Sequence, residues 1–124
     1  MSYKHKVLLL EDSIPLQMFY MQIIEHRLSN VNVEVGCNGQ EGLVALACNP
    51  NYSAIITDFD MPVLDGVSFI NQAYKDYHCH VPLMLHTSGN LPDQKLIDYP
   101  RLFMERKKQD LTYLVNFLEL VIDG

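Results

Sequence analysis

The side chains that could do chemistry in this chain stand at the ends of short apolar runs. Val7 to Leu10 is followed by Glu11-Asp12, and Ala54-Ile55-Ile56-Thr57 by Asp58, with Phe59-Asp60 next. Leu83-Met84-Leu85 leads to Thr87, and Leu102-Phe103-Met104 leads to Arg106-Lys107. If these runs are neighbouring parallel strands, they deliver carboxylates, a hydroxyl and a cation to one rim, where functional groups of open parallel sheets collect. Carboxylates gathered this way repel: two unit charges ~4 Å apart cost about 4 kcal/mol at an effective dielectric near 20. A hard divalent cation relieves that repulsion, and all-oxygen donors favour Mg2+, with Mn2+ the alternative. A metal-bound carboxylate, a hydroxyl and a lysine together make a phosphoryl-transfer site. Asp58 would attack phosphorus in line to form an acyl phosphate, Lys107 would pair with one phosphoryl oxygen, and Thr87 would donate a hydrogen bond to another. No protein base is required, because an ordinary aspartate is ionised at neutral pH.

Hydropathy patterning predicts the elements that position these groups. Val7-Leu8-Leu9-Leu10, Ala54-Ile55-Ile56 and Leu83-Met84-Leu85 are continuous apolar runs, as in strands covered on both faces. Val31, Val33 and Val35 alternate with Asn32 and Glu34, which predicts a half-exposed edge strand. Between them lie helical patterns. Ser13 caps a first helix, with Pro15 in its first turn and Leu16, Tyr20, Ile23, Ile24 and Leu28 on its buried side. Leu43, Val44, Leu46 and Ala47 give a second helix its buried side, and Phe69, Ile70, Ala73, Tyr74 and Tyr77 a third. Leu91 to Ile97 is a weak helical stretch cut off by Pro100. Asp110 caps a last helix with Leu111, Leu114, Phe117, Leu118 and Val121 in one stripe. Phe19, Met21, Phe69 and Phe117 read as core packing, and His86 as a packed strand residue. Repeated strand–helix units with right-handed crossovers predict an α/β, doubly wound (βα)5 sandwich: a five-stranded parallel sheet with helices on both faces.

Composition narrows the function classes. The 124 residues suffice for one domain with a real core, and no linker, repeat or low-complexity tract divides residues 1–124. A net charge of −6, with Arg106-Lys107-Lys108 as the one compact basic cluster, argues against direct nucleic-acid binding. No apolar run approaches the ~20 residues that span a bilayer, and the start has no secretory pattern, so a cytoplasmic protein without membrane insertion is expected. Cys37, Cys48 and Cys79 have no paired spacing and read as reduced thiols, and His78-Cys79-His80 matches no zinc pattern.

Asp58-Phe59-Asp60-Met61-Pro62-Val63-Leu64-Asp65-Gly66 resembles the D-x-x-M-P-x-x-D-G signature of response-regulator receiver domains. Leu8-Leu9-Leu10-Glu11-Asp12-Ser13 resembles that family's first strand with its acidic pair, Asn38-Gly39-Gln40-Glu41-Gly42-Leu43 the start of its second helix, and Pro82-Leu83-Met84-Leu85-His86-Thr87-Ser88 its fourth strand. The similarity runs from about residue 6 to the end. It implies a flavodoxin-like sheet in the order 2-1-3-4-5 and a single receiver domain over 1–124 without an output domain. The implied function is two-component phosphorelay signalling: a phosphohistidine on a partner histidine kinase or histidine phosphotransfer domain passes its phosphoryl group to Asp58. Asp12 is implied as the main magnesium carboxylate, Glu11 as a direct or water-mediated ligand, and Asp60 as a ligand through its backbone carbonyl, beside Asp58. The chain would then be a self-modifying signalling domain rather than an enzyme, acting through a downstream protein, with a homodimer left open.

The sequence also departs from that pattern. The usual Lys-Pro after the fifth strand reads Glu105-Arg106-Lys107-Lys108 here. Counting back from Leu114 selects Lys107 as the phosphoryl-binding cation, whereas counting from Phe103 as the switch aromatic selects Arg106; Lys107 is favoured, because a strand's facing flips with every residue. Met104 then stands where the family usually has Tyr or Phe. Pro92 and Pro100 predict a brief or irregular fourth helix. Two other functions compete. Asp58-Phe59-Asp60 also satisfies the D-x-D nucleophile motif of haloacid-dehalogenase-like phosphatases, but two strands precede it here rather than none. A receiver-shaped module that no longer accepts phosphate is the other.

Overall fold

The computed structural model describes residues 4–123; Met1, Ser2, Tyr3 and Gly124 of the expected 1–124 domain lie outside the described residues. Five strands, β1 (His5–Leu10), β2 (Val31–Gly36), β3 (Ala54–Asp58), β4 (Leu83–Thr87) and β5 (Leu102–Arg106), form one sheet in the order β2-β1-β3-β4-β5. Every pairing is parallel. The helices are α1 (Ile14–Arg27), α2 (Gly39–Cys48), α3 (Gly66–Tyr77) and α4 (Thr112–Asp123). This is the doubly wound α/β order expected of the sequence, with one correction to the five strand–helix units: among the described residues there are four α-helices. Between β4 and β5 stands a single 3-10 turn, Gln94–Leu96. The reason is local. Pro92 and Pro100 bracket the segment, and proline both lacks a donor and pushes its preceding residue away from helix. The Asn71 side chain on α3 anchors the segment, donating to the Leu96 carbonyl at 2.9 Å and accepting from the Asp98 N–H at 2.9 Å.

Alternation along each strand divides the interior into two apolar layers. Leu8, Leu10, Ile55, Leu83 and Leu85 pack with Leu43, Leu46, Phe69 and Ile70 of α2 and α3. Val7, Leu9, Ala54, Ile56 and Met84 pack with Tyr20, Ile24, Leu114, Phe117 and Leu118 of α1 and α4. β1, β3 and β4 are the interior strands, so residues 7–10, Ala54–Asp58 and Leu83–Thr87 are covered on both faces, as their apolar runs require. Side-chain caps start the helices: Ser13 accepts from Leu16 N–H, Asn38 from Glu41 N–H and Asp65 from Ser68 N–H. Asp110 takes the Thr112 N–H at the start of α4.

Several helix facings differ from the periodicity reading. In α1 the buried positions are Gln17, Tyr20 and Ile24, while Leu16 and Phe19 are exposed. Gln17 turns inward because its amide donates to the Glu11 carbonyl at 2.6 Å and, at 3.3 Å, to the Gly36 carbonyl, which also accepts the Glu11 N–H at 3.0 Å. In α2, Val44 and Ala47 face out and Gly42 faces in. A Cβ on Gly42 would come within 2.6 Å of Leu10 Cδ1 and 2.7 Å of Phe69 Cε1, so α2 lies closer to the sheet than a larger residue would permit. Tyr77, at the end of α3, is exposed.

Gly66 opens α3 directly against the end of β3. A Cβ there would stand 2.3 Å from the Asp58 carbonyl oxygen, a backbone atom that cannot step aside. Gly66→Ala is expected to lose about 1–3 kcal/mol in urea unfolding; an unchanged midpoint would show that the β3–α3 junction gives way freely.

Candidate functional site

The carboxyl ends of β1, β3 and β5 converge. Glu11 and Asp12 follow β1, Asp58 closes β3, and Lys107 follows β5. Carboxylate oxygens of Glu11, Asp12 and Asp58 all lie within 4.8 Å of one another. The Lys107 ammonium sits 3.1 Å from Glu11 Oε1 and 3.4 Å from Asp58 Oδ1. Of the two candidate cations, Lys107 is therefore the one at Asp58. The register explains it: Thr87 pairs with Arg106, and the Lys107 N–H bonds the Thr87 carbonyl at 2.7 Å. Glu11 is nearly fully buried, with its second oxygen accepting from the Ser13 N–H at 3.1 Å. Asp58 Oδ1 also accepts from the Phe59 N–H at 2.9 Å, while Asp12 is exposed.

Thr87 is buried at the end of β4, where its hydroxyl accepts from the Gly89 N–H at 3.1 Å. The hydroxyl proton is not used by that bond. The Asp60 side chain is exposed and stands outside the acidic trio. Asp65 is the N-cap of α3. Met104 packs with Leu102 into the α2–α3 layer, and Phe103 faces the opposite layer against Phe117 at 5.1 Å between ring centroids. His78-Cys79-His80 makes no metal cluster among the described residues: His78 ends α3 in a left-handed conformation, and the Cys79 thiol meets the Tyr99 hydroxyl at 3.3 Å.

Burial sets the electrostatics. It pushes the Asp58 carboxyl up to about 6; Lys107 opposes the shift and Glu11 adds to it. Burial works against the Lys107 charge, but Asp58, Tyr20 and Glu11 outweigh it and raise that group. With every member ionised, three carboxylates against one ammonium leave two negative charges at the rim. An all-oxygen donor set with that residual charge fits a hard divalent ion such as Mg2+.

His86 is the packed strand residue that the sequence predicts, but its polar partner behind the site was not foreseen. His86, fully buried, is paired with Asp58 across β3 and β4, and its Nδ1 lies 2.8 Å from the Tyr113 hydroxyl. Burial first, then Lys107, depresses the imidazole to about 3, so the ring is neutral. A histidine in an otherwise apolar strand was the available signal.

No protein-family profile matches the chain, and no curated protein matches it in sequence. Solved structures do match. The receiver domain of Francisella response regulator 1452 superposes with a TM-score of 0.79 at 21% identity, over 97% of this chain and 98% of that one. Vibrio cholerae chemotaxis protein CheY4 gives 0.76 at 24% identity, over 95% and 98%. The CheY of a CheX-CheY-BeF3-Mg2+ complex from Borrelia burgdorferi gives 0.78 at 16% identity, over 97% and 90%. The fold is that of response-regulator receiver domains.

Two predictions follow from the geometry. A carboxyl whose folded-state value is raised from 3.8 to about 6 contributes its full stability below about pH 4 and loses it as the pH rises through 6. Asp58→Asn, uncharged throughout, is expected to exceed the wild type by about 3 kcal/mol at pH 8 without metal, with the gap closing towards pH ~4. Urea unfolding at both pH values checks this, and equal stability at both would contradict it. In the loop beyond Asp58, Val63 has φ 70° and is 80% exposed, so a β-branched side chain is held in left-handed backbone without compensating burial. Val63→Asn is expected to stabilise by about 1 kcal/mol; thermal unfolding that shows a loss would mean that Val63 has packing that outweighs the strain.

Proposed function

We propose that this chain, a receiver domain by fold, is a phosphoacceptor module of two-component signalling. It takes a phosphoryl group from a phosphohistidine of a histidine kinase or histidine phosphotransfer domain onto Asp58. The observation that carries this reading is the Asp58 carboxylate at the rim, 3.4 Å from the Lys107 ammonium and grouped with Glu11 and Asp12.

The chain's own groups divide the work. An Asp58 carboxylate oxygen attacks phosphorus as the phosphorus–nitrogen bond of the donor breaks. The electron pair of that bond returns to the donor imidazole, and the product is an acyl phosphate. Lys107 exchanges its contact with Asp58 Oδ1 for a phosphoryl oxygen, and the Thr87 hydroxyl turns its unused proton to another. Asp12 and Asp58 would hold Mg2+ with the Asp60 backbone carbonyl, and Glu11, already tied to Lys107 and Ser13 N–H, would act directly or through water. The ion would supply charge neutralisation at the carboxylate and phosphoryl oxygens. Above about pH 6 the attacking group is ionised without help from a base.

The surroundings favour a donor carried by a protein over a small phosphoester. Ile14 and Met18, just beyond Asp12, are 53% and 51% exposed, and Val63, just beyond Asp60, is 80% exposed. Exposed apolar side chains around a charged rim are what a macromolecular donor would cover. The module would pass its state to a downstream protein by surface change.

Intact-mass measurement after incubation with a small acyl phosphate and Mg2+ tests the proposal. One added phosphoryl group is expected, absent from Asp58→Asn and absent with chelator. No gain from the small donor or from a phosphohistidine-bearing protein would sink the reading in favour of a constitutive interaction module. Turnover of a generic phosphate monoester would instead make the chain a hydrolase.

A further inference from the structure

Taking Asp58 as the phosphoacceptor, we propose that the buried His86–Tyr113 hydrogen bond relays its modification to α4 and to the groove between α4 and β5. The input end is mechanical. His86 and Thr87 are consecutive on β4, and the backbone between them is held from both sides: Phe59 N–H bonds the His86 carbonyl at 3.0 Å, and Lys107 N–H bonds the Thr87 carbonyl at 2.7 Å. A phosphoryl group on Asp58 that draws in Thr87 and Lys107 therefore moves the backbone that carries the His86 ring. Because side chains alternate along a strand, that ring enters the layer beneath α1 and α4. There its centroid lies 5.6 Å from the Tyr20 ring and 6.0 Å from the Tyr113 ring.

The relay also has a reason to possess two positions. The imidazole is fully buried and makes one hydrogen bond, Nδ1 with the Tyr113 hydroxyl at 2.8 Å, while Nε2 is the single buried side-chain nitrogen or oxygen without a partner among the described residues. A neutral imidazole has one donor and one acceptor, and leaving either unpaired in the interior costs stability. The present arrangement thus carries an unsatisfied atom beside the site, and a shift that gives Nε2 a partner is favoured over one that merely disrupts packing.

The output end reaches the surface. Tyr113 is the second residue of α4, and its ring lines a groove of ≈ 300 Å³ with Phe103, Phe117 and Leu120. The Lys108 ammonium stands 5.7 Å above the ring centroid. No comparable path runs through the other layer: Met104 is apolar and flexible, and the segment between β4 and β5 is a 3-10 turn. A stiff aromatic bonded to a strand atom transmits a displacement that a methionine absorbs.

The test records amide and His86 ring-nitrogen NMR shifts with and without the phosphodonor and Mg2+, alongside intact mass, for wild type, Tyr113→Phe and Tyr99→Phe. Tyr113→Phe removes only the hydroxyl. Tyr99→Phe is the control, removing a buried hydroxyl that bonds Cys79 and the Val81 carbonyl away from this path. The relay predicts that phosphorylation moves the His86 ring nitrogens and the amides of residues 112–123 in wild type and Tyr99→Phe. In Tyr113→Phe the α4 response should fall by about fivefold or more while the mass gain persists. A mass gain with an undiminished α4 response in Tyr113→Phe, or with no α4 response in wild type, overturns the relay alone. No mass gain in any protein overturns the acceptor reading and the relay with it.

Discussion

Everything at the carboxyl rim depends on one ammonium group. Lys107 Nζ lies between Glu11 Oε1 and Asp58 Oδ1, and without it two largely buried carboxylates would face each other across the ends of β1 and β3. Partial neutralisation is the useful state. Full neutralisation by a second lysine would leave no residual charge for a cation to offset, and none at all would favour the protonated form of Asp58. The balance observed, a carboxyl raised by burial but held in check by Lys107, keeps Asp58 available near neutral pH.

The fold serves that balance by deciding who stands next to whom. The Glu11-Asp12 pair and Asp58 are far apart in the chain, and the β2-β1-β3-β4-β5 order makes β1 and β3 neighbours so that their ends coincide. Lys107 must then reach across from beyond β5, with β4 between, which a long flexible side chain can do and a short one cannot. Gln17 and Gly66 are the less visible supports. The first ties the Glu11 and Gly36 carbonyls together from α1, and the second lets α3 begin against the Asp58 carbonyl. Both place backbone where a bulkier or apolar residue would hold it away.

The strands and the acidic trio were legible in the sequence because their signals are local: unbroken apolar runs, each ending in a polar residue of recognisable chemistry. The short fourth unit was legible for the same reason, from Pro92 and Pro100. What was not legible depends on groups that meet only in three dimensions. Gln17 reads as an outward-facing helix residue until the carbonyls it serves are seen, and Gly42 contributes no hydropathy with which to mark a buried face. Leu16, Phe19 and Val44 carry the hydropathy of core residues but lie just beyond the faces that the sheet covers. Which of Arg106 and Lys107 stands beside Asp58 turns on a single residue of register, which the β4–β5 pairing fixes and composition does not.

His86 shows why such a gap falls beside the site rather than elsewhere. A strand position facing a helix layer is filled most stably by valine, isoleucine or leucine, as at Val7, Leu9 and Ile56 in the same layer. Imidazole there brings a desolvation cost and an orphaned nitrogen, and the Tyr113 hydroxyl offsets only half of its hydrogen-bonding need. Polar groups buried at such cost specify an arrangement that apolar packing leaves degenerate. Here the arrangement specified is the position of α4 relative to the strand that carries Thr87. With a methionine on β5 and a 3-10 turn before it, that position is the feature of this surface most tightly bound to the proposed phosphoacceptor site.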